Sequence, residues 1–488
     1  MIDLTRNDAQ IDKNAKICAE RDIILPTYAQ MANPSLIPES IQQELKTIGR
    51  DDVHSRNLFR VTWQNEPVES GGTYSGFNYL EVPREITGTK ARIVGLVGKF
   101  FPTGAHKVGA AYSCLAPTLV TGQFNPEKNM AVWPSTGNYC RGGAYISRLL
   151  ACKSIAILPE EMSQERFNWL KNMADQTIAT PGSESNVKEI FDKCHELDAE
   201  HGDGIFIFNQ FDQMPNTLWH HEVTGPAMEA VFRQIAGPNS RLAGVTLSSG
   251  SGGTLGSGTY IKNHFPGAKV AVSEALQCPT LLNNGFGAHR IEGIGDKHVP
   301  WVHNVKDTDA VAAIDDERTM RLLRLFNERP GLDFLVEKGA NPEATCHMDY
   351  LGISSICNML TAIKMAKYFE LTEDDVIFTV FTDSEGMYTS RLGELTAERG
   401  EYTREQAVAD YEMLQQVGSE NFLELRYEDQ KRIHNLKYYT WVEQQGKTYE
   451  EINAQWYQRD YWDSIYSARP ILDEMITDFN QRVRSYQK

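Results

Sequence analysis

Ala91-Arg92-Ile93-Val94-Gly95-Leu96-Val97 runs directly into Gly98-Lys99-Phe100-Phe101-Pro102-Thr103-Gly104-Ala105-His106-Lys107-Val108-Gly109-Ala110-Ala111. A β-branched run of strand length, a Gly- and Pro-bearing turn and a small-residue stretch form the opening half of a βαβ unit. The alternation continues in Ala131-Val132-Trp133, Ser154-Ile155-Ala156-Ile157-Leu158, Thr177-Ile178-Ala179-Thr180 and Gly204-Ile205-Phe206-Ile207-Phe208. It resumes in Leu242-Ala243-Gly244-Val245-Thr246-Leu247, Lys269-Val270-Ala271-Val272 and Val376-Ile377-Phe378-Thr379-Val380-Phe381. Strands separated by helix-length segments predict an α/β fold with mostly parallel sheets.

At 488 residues the chain exceeds one ordinary compact core, so two open, twisted, mostly parallel sheet lobes are expected. Residues 1–90 carry turn signals (Asn33-Pro34, Glu69-Ser70-Gly71-Gly72, Val82-Pro83) without strong periodicity and read as an extension wrapped on the core. Residues 91–392 form the two-lobed core. Residues 393–488, rich in Glu, Gln, Tyr and Trp as in Tyr438-Tyr439-Thr440-Trp441, read as a helical C-terminal extension used for packing or assembly.

Bulk properties narrow the function classes. With 41% hydrophobic and 23% charged residues the chain folds rather than staying disordered, and no apolar run approaches a membrane span of roughly 20 residues. A formal charge of −17 argues against nucleic-acid binding, which rests on Lys and Arg neutralising phosphates. The eight cysteines are scattered with no C-x-x-C pair and no metal-ligand spacing, so no metal site is expected. Met1-Ile2-Asp3-Leu4 lacks a basic and then apolar signal region, which makes the cytoplasm the expected location.

Three motifs carry chemistry. Lys107 has small neighbours (Gly104, Ala105, Gly109, Ala110, Ala111) and a buried strand upstream, so its amine is expected in an interior cleft. Desolvation lowers an amine's pKa and makes it a better nucleophile toward a carbonyl. Ser135-Thr136-Gly137-Asn138 follows a strand and precedes a helix. Its hydroxyls and amide either cap that helix or bind a carboxylate and a ring oxygen. Gly250-Ser251-Gly252-Gly253-Thr254 lies between a strand and a helix, where backbone N–H groups and the helix N-terminus can hold a phosphate, although ligand-free glycine turns are common too.

The ordered set Pro102–Lys107, Ser135–Asn138, Asn209-Gln210-Phe211, Thr224-Gly225-Pro226, Gly250–Thr254 and Gly293-Ile294-Gly295 resembles the cysteine synthase and cystathionine β-synthase branch of fold-type II pyridoxal phosphate enzymes. The wording Thr103-Gly104-Ala105-His106-Lys107 is similar to that of the tryptophan synthase β-subunit. The resemblance covers roughly residues 90–392 and implies pyridoxal 5'-phosphate held between the lobes. It implies Lys107 as the Schiff-base lysine and general base, Asn138 on the cofactor's 3-oxygen, and Gly250, Ser251, Gly252, Gly253 and Thr254 on the phosphate. Ser135, Thr136, Gly137 and Gln210 would hold the substrate carboxylate. Ser384, after the last strand, would face the pyridine nitrogen, with the adjacent Asp383 as the alternative.

Two departures bear on substrate. Arg141 replaces a small residue of the family, and either pairs with surface acids or faces the cleft to take a second carboxylate or a sulfonate. The segment Leu335–Tyr350 has no counterpart in short cysteine synthases. The activity implied is β-elimination or β-replacement on a small amino acid through an aminoacrylate, by a homodimer. The alternatives are the β-subunit of a 2-amino-4-oxopentanoate thiolase that uses coenzyme A and a small partner subunit, and a non-catalytic scaffold.

Overall fold

The computed structural model describes residues 1–67 and 70–487; Glu69, which opens one of the turns read above, lies outside the described residues. The strands are β1 (Tyr79–Val82), β2 (Arg92–Val97), β3 (Met130–Pro134), β4 (Ser154–Pro159), β5 (Gln176–Thr180), β6 (Ile205–Ile207), β7 (Arg241–Ser248), β8 (Lys269–Ala275), β9 (Ala310–Ile314), β10 (Asp375–Phe381) and β11 (Phe422–Glu424). They form two sheets, one ordered β1-β2-β10-β7-β8-β9-β11 and one ordered β5-β4-β3-β6. The smaller sheet is parallel throughout. In the larger one the inner pairs are parallel, while β1 and β11 close the two edges antiparallel.

The inner strands are apolar because helices cover both faces of the sheet. Every residue of β10 is buried, and so is every residue of β9. Three strands are absent from the sequence reading. β9 is Ala310-Val311-Ala312-Ala313-Ile314, and its three alanines carry a helix preference that burial between β8 and β11 overrides. β1 and β11 are short edge strands. β11 lies in the tail read as helical, which is therefore helical apart from this one strand bonded to β9.

The two ends of the chain meet behind the catalytic core. Helix Asp8–Glu20 packs on helix Lys107–Thr121, and helix Ala468–Tyr486 packs on both. Ile11, Ala15, Leu472, Ile476, Phe479 and Val483 are buried in one apolar cluster with residues of both sheets. Polar locks fix the register: Asn14 Nδ2 donates to the carbonyls of Leu119 and Phe124, each at 2.9 Å, and Tyr28 N donates to Asp473 Oδ1 at 2.6 Å.

Helices follow the C-terminal ends of β2, β3 and β7, and a 3-10 turn follows β10. The crevice outside the C-terminal strand ends is where open α/β sheets bind ligands.

Candidate active site

Lys107 is the first residue of the helix after β2, and reaching that position requires left-handed backbone at Thr103 (φ 68°) and Gly104 (φ 72°). Its Nζ donates to Ser251 Oγ at 3.0 Å, so the lysine and the glycine loop meet directly. Burial lowers the amine's pKa to about 8, against the attraction of Asp296 and Glu184, which favours the charge.

The glycine loop needs its glycines for different reasons. A Cβ on Gly250 would stand 2.5 Å from the carbonyl oxygen of Gly293, one on Gly253 would run into the Asn216 amide, and Gly252 has φ 77°. The loop is further tied to the Gly293–Gly295 turn by Gly295 N donating to Ser249 O at 3.0 Å. Helix Leu255–His264 follows, with its first N–H groups, of Leu255, Gly256 and Ser257, bonded to the carbonyls of Gly252, Gly253 and Thr254, so an anion here would be held by the N–H groups of the loop itself.

Ser135-Thr136-Gly137-Asn138 turns sharply from β3 into helix Asn138–Leu149. Gly137 has φ 149°, and a Cβ there would collide with the Arg166 side chain behind the turn. Asn138 Nδ2 donates to Asp383 Oδ2 at 2.7 Å, while its Oδ1 is buried without a partner. Asp383 also accepts from Tyr388 Oη at 2.7 Å and lies 3.7 Å from Arg166 Nη2. Arg166, fully buried, pairs with Glu292 and donates to Tyr388 Oη at 3.1 Å. This buried network holds the asparagine from behind.

Of the residues singled out in the sequence, Lys107, Ser135, Thr136, Asn138, Gln210, Gly250, Ser251, Gly252 and Thr254 line one cavity. Gly137 and Gly253 shape the cavity's loops from the side turned away from it. Ser384 and Arg141 are not brought there. Ser384 stands directly before the 3-10 turn Glu385–Met387 after β10, without a side-chain capping bond, and Thr382 lines the cavity in its place. The Arg141 guanidinium lies 4.7 Å over the Trp169 ring, with Nη1 donating to the Met387 sulfur at 3.0 Å, so it neither pairs with a surface acid nor lines the cavity. Asp383 is committed to the network behind Asn138.

Sequence reasoning missed several cavity groups. Asn358 lines the floor from helix Ile353–Tyr368. On the first turn of the same helix, Ser354 Oγ would lie 4.0 Å from a Cβ built on cavity-lining Gly293. The signal was present, since Gly352-Ile353-Ser354-Ser355 is a small-residue turn before a helix. Asp296, the residue after the Gly293–Gly295 turn, also lines the cavity. Glu184 is buried, and neither its carboxylate nor that of Asp296 has a hydrogen-bond partner. Among the described residues no group of three or more His, Cys, Asp or Glu is arranged to hold a metal ion, and no helix is long and apolar enough to cross a membrane.

Residues 99–341 match the family model described as pyridoxal-phosphate dependent enzyme. A cysteine synthase of Staphylococcus aureus (strain N315) is 29% identical over 292 residues, covering 59% of this chain and 84% of the relative. The cystathionine beta-synthase of Saccharomyces cerevisiae is 27% identical over 316 residues, 62% of this chain and 58% of the relative. A solved hydrogen sulfide-producing enzyme from Fusobacterium nucleatum superposes with a TM-score of 0.56 at 23% identity, over 72% of this chain and 97% of that one, which shows the shared fold.

Proposed function

Because the chain belongs to the pyridoxal-phosphate dependent enzyme family, we propose that it removes or exchanges the β-substituent of a small amino acid by β-elimination or β-replacement. Pyridoxal 5'-phosphate is the cofactor of this family. The observation that carries the reading is the meeting of a buried, pKa-lowered Lys107 amine with the glycine loop in one cavity. When bound, the cofactor supplies an electron sink for negative charge at the substrate Cα.

The residues fit that group. Gly250–Thr254 suits its phosphate, and the second N–H of the Asn138 amide, beside the one given to Asp383, suits its ring oxygen. For the ring nitrogen we choose Ser354 in place of Ser384, because Ser354 Oγ lies 4.0 Å from a Cβ built on cavity-lining Gly293. A hydroxyl leaves that nitrogen without a charged partner, which favours prompt loss of a β-substituent over transamination. Ser135, Thr136 and Gln210 are the donors for the substrate carboxylate, which aligns the Cα–H bond with Lys107. Lys107 in its neutral form takes the Cα proton, and holding both partners in one cleft replaces a bimolecular encounter.

None of the relatives named above is a thiolase, and the small partner subunit of that reading finds no support. The intact lysine and loops set the scaffold reading aside. We read the protein as a homodimer of the cytoplasm.

The test is the visible absorption spectrum of the purified protein and of Lys107→Ala, followed by titration with serine, cysteine, O-acetylserine and β-chloroalanine. The expected result is a visible band of lysine-bound cofactor in the wild type, its absence in the variant, and a shift with release of the β-substituent from at least one donor. A wild type that binds the cofactor yet releases no β-substituent from any of them overturns the reading.

A further inference from the structure

We propose that Asp296 is the acid that protonates the departing β-substituent, so that the enzyme acts on unactivated donors whose leaving group needs a proton, such as serine or cysteine. This rests on the β-substitution reading above and deepens it. Asp296 is 4% exposed, lines the same cavity as Lys107, Ser135 and Thr136, and neither of its carboxyl oxygens has a hydrogen-bond partner. Its backbone is fixed, since its carbonyl accepts from Thr280 Oγ1 at 2.8 Å and Gly295 N is bonded to the glycine loop. A buried carboxyl with both oxygens free is costly to ionise, and costly even when its polar atoms are merely unpaired. Glu292, also buried, is by contrast paired with both Arg166 and Arg391.

The titratable groups facing Asp296 are Lys107, Glu184 and Cys278. Burial raises its pKa to about 8, with the Lys107 charge acting in the opposite direction, and Asp296 in turn raises that of Glu184. The carboxyl is therefore disposed to hold a proton at neutral pH, and Lys107 serves the Cα once its amine is neutral. The two groups divide the work: Lys107 accepts the Cα proton, and Asp296 serves the Cβ side. The Cβ–X bond breaks with its electron pair going to X, which takes the Asp296 proton and departs as HX. In replacement the incoming HY gives its proton to the Asp296 carboxylate as the Cβ–Y bond forms; in elimination the proton that Lys107 took from Cα is released and makes good the one Asp296 lost to X. Carboxylate and halide leaving groups need no such help, whereas hydroxide and thiolate do.

The experiment compares wild type with Asp296→Asn, both loaded with cofactor, on serine, cysteine, O-acetylserine and β-chloroalanine. The loss of kcat/KM on serine or cysteine is expected to exceed the loss on β-chloroalanine by about 100-fold, the scale of general acid catalysis. An equal loss on all donors means a structural role and overturns the proposal while leaving the β-substitution reading intact. A wild type that fails even with β-chloroalanine overturns both. Two measurements keep the test open should the variant fold poorly. Wild-type turnover of serine or cysteine should fall as pH rises through about 8 while turnover of β-chloroalanine does not, and coincident profiles overturn the proposal. The infrared spectrum at neutral pH should contain a protonated-carboxyl stretch that Asp296→Asn lacks; an unchanged band overturns it independently of activity.

Discussion

Lys107 makes the residue-scale case, because its environment fixes its chemistry. Burial lowers the amine to about 8 from an ordinary 10.5, with Asp296 and Glu184 opposing. Lowering an amine's pKa enlarges its neutral, nucleophilic fraction at any pH below the old value. The rate at which cofactor-free protein takes up pyridoxal phosphate should therefore rise about tenfold per pH unit below 8 and level off above it. A rate still climbing steeply toward pH 10 would mean an unperturbed amine. Uptake is read from growth of the visible band in stopped-flow mixing. At this scale the motif residues were legible in the sequence, since a lysine among small residues after a strand has few places to go. The place of Ser384 was not legible, because one turn of backbone after β10 decides which hydroxyl faces inward, and it is Thr382 that lines the cavity. Asp296 was adjacent to a recognised turn but carries no spacing signature; only burial without a partner marks it.

The elements that hold the cavity are loops pinned at strand ends, and their precision depends on close backbone approach. Gly250 lies so near the Gly293 carbonyl that any side chain would part the glycine loop from the Gly293–Gly295 turn. Gly250→Ala should weaken pyridoxal phosphate binding by at least about tenfold, or ~1.4 kcal/mol, while the fold survives, because the clash is local to one loop. Equilibrium titration by fluorescence of the bound cofactor measures this; unchanged affinity would mean the two turns can separate freely. The sequence yielded the inner strands because their β-branched runs are unbroken, as in Val376–Phe381. It hid β9, whose alanines favour a helix until two neighbouring strands bury them, and β11, three residues long and dependent on β9 for its hydrogen bonds. Edge strands of this kind exist through their partners rather than through their own composition.

At the scale of the whole molecule, the chain's two ends brace the element that bears the lysine. Helix Lys107–Thr121 is buried almost throughout, packed on helices Asn138–Leu149 and Met214–Trp219 and on the two terminal helices Asp8–Glu20 and Ala468–Tyr486. Asn480 exchanges two hydrogen bonds with the Leu25 backbone at 3.0 and 2.8 Å, and Arg482 pairs with Asp12 at 2.8 Å, so the two ends cannot separate without losing both polar and apolar contacts. We read residues 1–90 and 393–488 accordingly as parts of one cooperative body with the core rather than as appended modules. Ile476 is fully buried in the shared apolar cluster, and truncating such a side chain costs about 2–5 kcal/mol. Ile476→Ala should therefore lower the Tm by several degrees and shift loss of the cofactor's visible band by the same amount, with kcat little changed at low temperature. Both are read in one thermal scan, by far-UV circular dichroism and by visible absorbance. A variant whose tail melts early while the cofactor band persists to the wild-type temperature would show that the tail is an independent unit, because a brace for the Lys107 helix cannot be lost without loosening the lysine it supports.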